Sequence, residues 1–144
     1  MTLHIIKLCV GVETVEELAL WQAGRIRQQK ARKVKSPELM HVTRMMPKRK
    51  DEVLDGGSLY WVIKGQIAVR QKLLDIRAVT KNGTPHCGLV YEPKLVPVQR
   101  RTHRPFQGWR YFDPKDAPPD ARGGKGGAGL PEKLQKELVE LGLL

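Results

Sequence analysis

The stretch Ser58-Leu59-Tyr60-Trp61-Val62-Ile63-Lys64 constrains this chain more than any other. Leu59, Trp61 and Ile63 alternate with Tyr60, Val62 and Lys64, and both sets are largely apolar. Aromatic and β-branched side chains favour an extended chain. A strand that is apolar on both faces must be covered on both, so this stretch predicts a central strand. Gly65 ends it. Ile67 and Val69 continue on one parity, and Leu74, Ile76 and Ala78 on the other, so a bulge or turn is expected near Arg70-Gln71-Lys72. Lys81-Asn82-Gly83-Thr84 is a tight-turn signal, because Asn-Gly accepts the left-handed backbone of hairpin turns. Leu73–Thr80 is therefore expected to pair antiparallel with Pro85–Tyr91. Pro93 and Pro97 bound a further short strand near Leu95–Gln99.

Upstream, His4–Val10 is a short apolar run closed by Gly11, which fits a buried strand. Thr14 and Glu17 have capping-box spacing, in which each side chain satisfies the other's free backbone N–H. A helix from about Val15 to about Lys33 follows, with Val15, Leu18, Ala19 and Trp21 as its buried stripe. Beyond Gly24 the stripe gives way to Arg25, Gln28, Gln29 and Arg32, so the second half is expected to project. Ser36-Pro37 stops the helix, since a residue before proline avoids helical geometry. Leu39–Met46 reads as a strand and Lys48–Leu54 as a short helix entered through Pro47 and stopped at Gly56-Gly57.

Strands gathered after Ser58 argue against a doubly wound parallel sheet. The expected class is α+β: a curved, mostly antiparallel sheet or small mixed barrel with a long N-terminal helix. Composition changes from Asp113 onward. Residues 1–120 are expected to form one domain, 121–130 a Gly-rich flexible linker, and 131–144 a tethered C-terminal helix with Leu134, Leu138 and Leu141 on one stripe. That helix must dock on the body, dock on a protein partner, or fray.

Several classes are excluded or disfavoured. A chain of 144 residues can bury a core without disulfides, and two cysteines, Cys9 and Cys87, cannot make a disulfide scaffold. His4, His41, His86 and His103 stand singly without metal-ligand spacing, so neither metal nor cofactor is expected. Gly123-Gly124-Lys125-Gly126-Gly127 lacks the strand and the Gly-Lys-Ser/Thr ending of a phosphate loop. A Cys–His nucleophilic pair would need different segments, such as Cys87 with His4 or His41. No apolar run is long enough to span a membrane, and Met1-Thr2-Leu3-His4 lacks the start of a signal peptide, so a cytoplasmic setting is the expectation.

The formal charge of +11 concerns association more than fold. Between Trp21 and Lys50 lie ten basic residues and one acid, Glu38. A second group, Arg100, Arg101, Arg104 and Arg110, has no acid between Lys94 and Phe112. The segment Arg104-Pro105-Phe106-Gln107-Gly108-Trp109-Arg110-Tyr111-Phe112 interleaves arginines with aromatics, which can hold phosphate and stack on unpaired bases. The competing assignment puts Phe106 and Trp109 in the core while the arginines reach outward. Arg44, Lys48 and Arg49 precede or begin a short helix, and Arg70 sits at the strand break. The expected activity is nucleic-acid binding, RNA or single strands in particular, or binding of another polyanion. The candidate site is Arg44, Lys48, Arg49, Arg70, Arg101, Arg104 and Arg110 around Trp109 and Tyr111. The alternative is an enzyme on a small phosphorylated substrate, with Arg44, Arg70 and Arg110 as clamps and Asp75 or His86 as base. An adaptor that docks a protein through the C-terminal helix is a third reading.

Several blocks carry a resemblance. They are Leu3-His4-Ile5-Ile6-Lys7-Leu8, Thr43-Arg44 with Pro47 and Arg49, and Gly56-Gly57-Ser58-Leu59-Tyr60-Trp61-Val62-Ile63-Lys64-Gly65. Arg70-Gln71 and Phe106-Gln107-Gly108-Trp109-Arg110-Tyr111 complete the set. In this order they resemble an uncharacterised family of short bacterial proteins, domain of unknown function 1489, over roughly Met1 to Asp120. The resemblance implies no activity. The order of elements is also similar to small mixed barrels of the PUA and ASCH type, a likeness at the level of fold that implies RNA or modified-base binding.

Overall fold

A computed structural model describes residues 2–121. In chain order the elements are β1 (His4–Leu8), α1 (Val15–Ala31), β2 (Leu39–Thr43), α2 (Lys50–Val53) and β3 (Ser58–Ile63). Then come β4 (Gln66–Lys81), β5 (Thr84–Tyr91), β6 (Val96–Thr102), β7 (Trp109–Phe112) and a 3-10 turn at Pro114–Asp116. The expected C-terminal helix, and the linker beyond residue 121, lie outside the described residues.

Every residue of β3 is buried, as its two-faced pattern requires. The sheet runs β2-β5-β4-β3-β1-β7, with β6 also paired to β4. β1 pairs with β3 in parallel, and the other pairings are antiparallel. The fold is therefore a mixed, mostly antiparallel sheet with helices, consistent with the α+β expectation. The barrel alternative is corrected: the sheet does not close, because β2 and β7 end the order with no ladder between them.

β4 is a single strand of 16 residues. Its first half pairs with β3 and β6, and its second half with β5. The break expected near Arg70–Lys72 becomes two register irregularities on either side, at Ile67/Val69 and at Leu73/Asp75, without a turn. The hairpin forms as expected: Leu73 pairs with Tyr91 and Lys81 with Thr84. Asn82 and Gly83 both take positive φ, 51° and 77°, the backbone that Asn-Gly tolerates.

Two apolar clusters cover the two faces of β3. On one face Ile5, Leu59, Trp61 and Ile63 pack with Leu18, Ala19, Ala23 and Ile26 of α1. On the other, Ile6, Tyr60, Val62, Ile67 and Val98 pack with Phe106 and Phe112 from the chain that returns after β6. That return is held to β6 by Gln99 N–H donating to Pro119 C=O (2.9 Å) and Ala121 N–H donating to Pro97 C=O (3.0 Å).

α1 starts at the expected cap, with Thr14 Oγ1 accepting from Glu17 N–H at 3.1 Å, but the reciprocal half differs: the Glu17 carboxylate accepts from Glu13 N–H and not from Thr14. Its buried stripe differs. Trp21 is 48% exposed, whereas Gln22 and Ile26 are buried. The helix is thus docked past Gly24, and the expected projecting half starts later. The reason is a polar joint that apolar periodicity cannot register. Gln22 and Gln71 exchange reciprocal amide hydrogen bonds (2.9 and 2.8 Å). Trp61 Nε1–H donates to Gln71 Oε1 (2.9 Å), and Gln71 Nε2 also donates to Glu92 C=O (3.1 Å). A buried network of this kind stabilises the fold when complete and is costly when one member is lost. Replacing Gln71 by Leu removes both Gln22–Gln71 bonds and strands the Trp61 indole N–H. Urea unfolding of Gln71→Leu is expected to show a loss of about 2–4 kcal/mol. A loss below about 0.5 kcal/mol would mean that the joint does not carry the docking of α1.

Candidate functional site

β7 lies beside β1, with Lys7 opposite Trp109 and Ile5 opposite Tyr111. Strand alternation then divides the aromatic segment. Trp109 and Tyr111 pack, half-buried, against the cluster on the α1 face, while Phe106 and Phe112 are buried in the opposite cluster. Phe106 is a core residue, as the competing assignment has it, but its core companion is Phe112, while Trp109 and Tyr111 remain partly accessible.

The segment from Arg44 to Arg49 crosses from β2 to β7 and is fastened there. Trp109 Nε1–H donates to Met45 C=O (2.8 Å), and Arg49 N–H donates to the Tyr111 hydroxyl (2.9 Å). The rings of Trp109 and Tyr111 meet edge-on at 4.9 Å, and the Arg49 guanidinium lies 5.6 Å from the Tyr111 ring centre. Side chains thus join the two edges of the sheet where no ladder does. Arg49 is also paired in two places with Glu52 (2.5 and 2.8 Å), which offsets its charge. Arg44 and Lys48 are exposed and have no ion pair among the described residues. Met45 beside them is 69% exposed.

The remaining candidate arginines lie elsewhere. Arg70 is on the opposite face, next to Tyr60, and holds Asp120 with two hydrogen bonds of 2.8 Å each. Arg101 donates to Asp116 C=O, and Arg110 stacks 5.3 Å over Phe106. Arg104 is exposed in the return segment. The candidate residues therefore separate into two faces: Arg44, Lys48, Arg49, Trp109 and Tyr111 on one, Arg70, Arg101 and Arg110 on the other. Strand parity of β7 carries this division in the sequence, but only once Trp109–Phe112 is recognised as a strand.

The constellation of the enzyme alternative is not assembled. Asp75 receives a hydrogen bond from Arg77 Nε (2.7 Å), and that bond holds its carboxyl below the usual value, which makes it a weak base. Arg77 also binds Glu38 in two places (2.8 and 2.9 Å). His86 is at the hairpin end with Nδ1 2.9 Å from Thr84 C=O. Cys87 is fully buried and burial raises its pKa, so its thiol is a structural one. No group of His, Cys, Asp and Glu that could hold a metal occurs among the described residues.

Sequence reasoning missed a cavity of about 250 Å³ at the end of β1, between the sheet and α1. Lys7, Cys9, Leu18, Trp21, His41 and Trp61 contribute to its lining. His41 meets the Trp61 ring edge-on at 5.6 Å. Burial first, then the charges of Lys7 and Lys81, push the His41 pKa down to about 4. Burial likewise lowers Lys7 and lifts the Cys9 thiol to about 11. The cavity is apolar, with a neutral imidazole, an unreactive thiol and one ammonium. The available signal was Lys7 itself, a basic residue at an inward position of an apolar strand.

His41 stays neutral when folded but takes a proton near pH 6.5 when unfolded. Its stabilising contribution is complete above that pH and is lost progressively as pH falls from there to about 4. Urea unfolding at pH 7 and pH 4.5 should show that His41→Phe loses about 2 kcal/mol less stability over this interval than the parent protein. Equal losses would mean that His41 is solvated.

No helix among the described residues is long and apolar enough to cross a membrane. No curated protein and no solved structure shows significant similarity to the chain, so the likeness to PUA- and ASCH-type domains draws no support from them. A family model does match, over residues 5–144, and so extends past the blocks that carry the sequence resemblance into the tail. By that match the chain belongs to the family described as Protein of unknown function (DUF1489).

Proposed function

We propose that this protein binds single-stranded nucleic acid, RNA in particular, on the surface formed by Arg44–Arg49 with Trp109 and Tyr111. The observation that carries this reading is the fastening of a cationic segment across two partly buried rings. Arg44 and Lys48 are exposed and carry no ion pair among the described residues. Trp109 lies alongside, anchored by its own hydrogen bond to Met45. Cations beside a held aromatic ring can bind a phosphate chain and stack a base at low entropic cost. The net charge of +11 favours encounter with any polyanion, and the rings favour one that offers unpaired bases.

Arg70, Arg101 and Arg110 are assigned a different task in this reading. Arg70 and Arg101 bind the return segment through Asp120 and Asp116, and Arg110 packs on Phe106. They hold the second cover of the sheet in place.

Fluorescence anisotropy with a labelled single-stranded RNA across a salt series tests the reading. Affinity should fall with salt at a slope of about −0.7 per phosphate contact. The double variant Arg44→Ala/Lys48→Ala should flatten the slope by about 1.4 in the same units, while Arg104→Ala leaves it unchanged. Absence of binding at 50 mM salt (about the low end of the useful range), or an unaltered slope in the double variant, would refute the proposal.

A further inference from the structure

The cavity at the end of β1 has a feature that packing alone does not account for. Lys7 is 9% exposed, yet among the described residues it has neither a carboxylate partner nor a hydrogen bond to its ammonium. A buried, unpaired charge is costly, and buried lysines ordinarily pair. No fully sealed side-chain nitrogen or oxygen among the described residues lacks a partner. The Lys7 ammonium, which has none, is therefore not sealed off, and Lys7 is among the residues that line the cavity. It also acts electrostatically on Cys9 and His41, which line the same cavity.

We propose that this cavity binds a small monocarboxylic acid with a compact apolar body, whose carboxylate pairs with Lys7. The walls Leu8, Val12, Leu18 and Trp61 suit an apolar body. The charge count suits one negative charge. Among the described residues Lys7 is the sole lysine or arginine of the lining, His41 is neutral, and no acid lines the cavity to repel an anion. A dianionic phosphate would leave a second charge uncompensated in apolar surroundings. The size fits as well: a cavity of about 150 Å³ holds benzene, so about 250 Å³ has room for a six-membered ring with a short acid arm. Trp21, 48% exposed, stands at the same lining and offers a ring edge to the apolar body. This inference is independent of RNA binding.

The probes are phenylacetate and its neutral counterpart 2-phenylethanol, titrated into the full chain and followed by amide NMR shifts at Cys9–Val12 and the Trp21 and Trp61 indole N–H signals. Phenylacetate is expected to saturate these signals and to bind at least tenfold tighter than the alcohol. Lys7→Met, which keeps the length and removes the charge, should weaken phenylacetate at least tenfold and change the alcohol less than threefold. Leu18→Trp, which fills the cavity, should abolish both. The proposal is overturned if phenylacetate leaves the signals unmoved or binds no tighter than the alcohol, a comparison that needs no variant. Phenylacetate binding that survives in Lys7→Met or Leu18→Trp overturns it equally.

Discussion

Because β3 is apolar on both faces, the chain has to supply two covers, and the second one decides where the aromatic segment lies. α1 covers one face through Leu18, Ala19, Ala23 and Ile26. The return after β6 covers the other by inserting Phe106 and Phe112. Once Phe112 is inserted, alternation along β7 turns Tyr111 and Trp109 to the α1 face, at the free edge of the sheet. There they meet Arg44–Arg49, which has to cross from β2 towards α2. The proposed binding surface is thus a consequence of how the central strand is buried.

The crossing needs the close approach at Gly57. Its N–H donates to Val53 C=O, its C=O accepts from Leu73 N–H, and a Cβ there would collide with the carbonyl oxygens of Leu3 and Val53. The Gly56-Gly57 stop read from the sequence therefore also seats α2 against the start of β3. His4 supports the same corner: its Nδ1 accepts from Ser58 N–H (2.9 Å), and burial, reinforced by Arg70, lowers its pKa and favours the neutral ring that can accept.

Local signals in the sequence are those with a backbone cause. The Thr14 cap, the Asn82-Gly83 hairpin and β3 all depend on residues close in sequence, and all are where the pattern puts them. Two things depended on partners far along the chain. Trp21 belongs by spacing to an apolar stripe, but the Gln22–Gln71 joint rotates the helix so that a glutamine faces inward. The arginines look alike by charge, yet Arg70 is spoken for by Asp120, 50 residues away, while Arg44 and Lys48 have no such partner among the described residues. Charge counting cannot tell a bound cation from an exposed one, and strand parity can do so only after β7 is recognised. Lys7 was legible as a residue and not as a site, because a cavity is formed by segments that the sequence does not place together.

The tryptophan indoles test this account most directly, since each of the three N–H groups sits in a different environment. Trp61 is buried and bonded to Gln71, Trp109 is half-buried and bonded to Met45 C=O, and Trp21 is exposed with no such bond among the described residues. Hydrogen exchange of the three indole N–H signals should rank Trp61 slowest, Trp109 between, and Trp21 fastest. Exchange at Trp109 as fast as at Trp21 would mean that the Arg44–Arg49 segment is not held on β7, and the surface described here would not exist in solution.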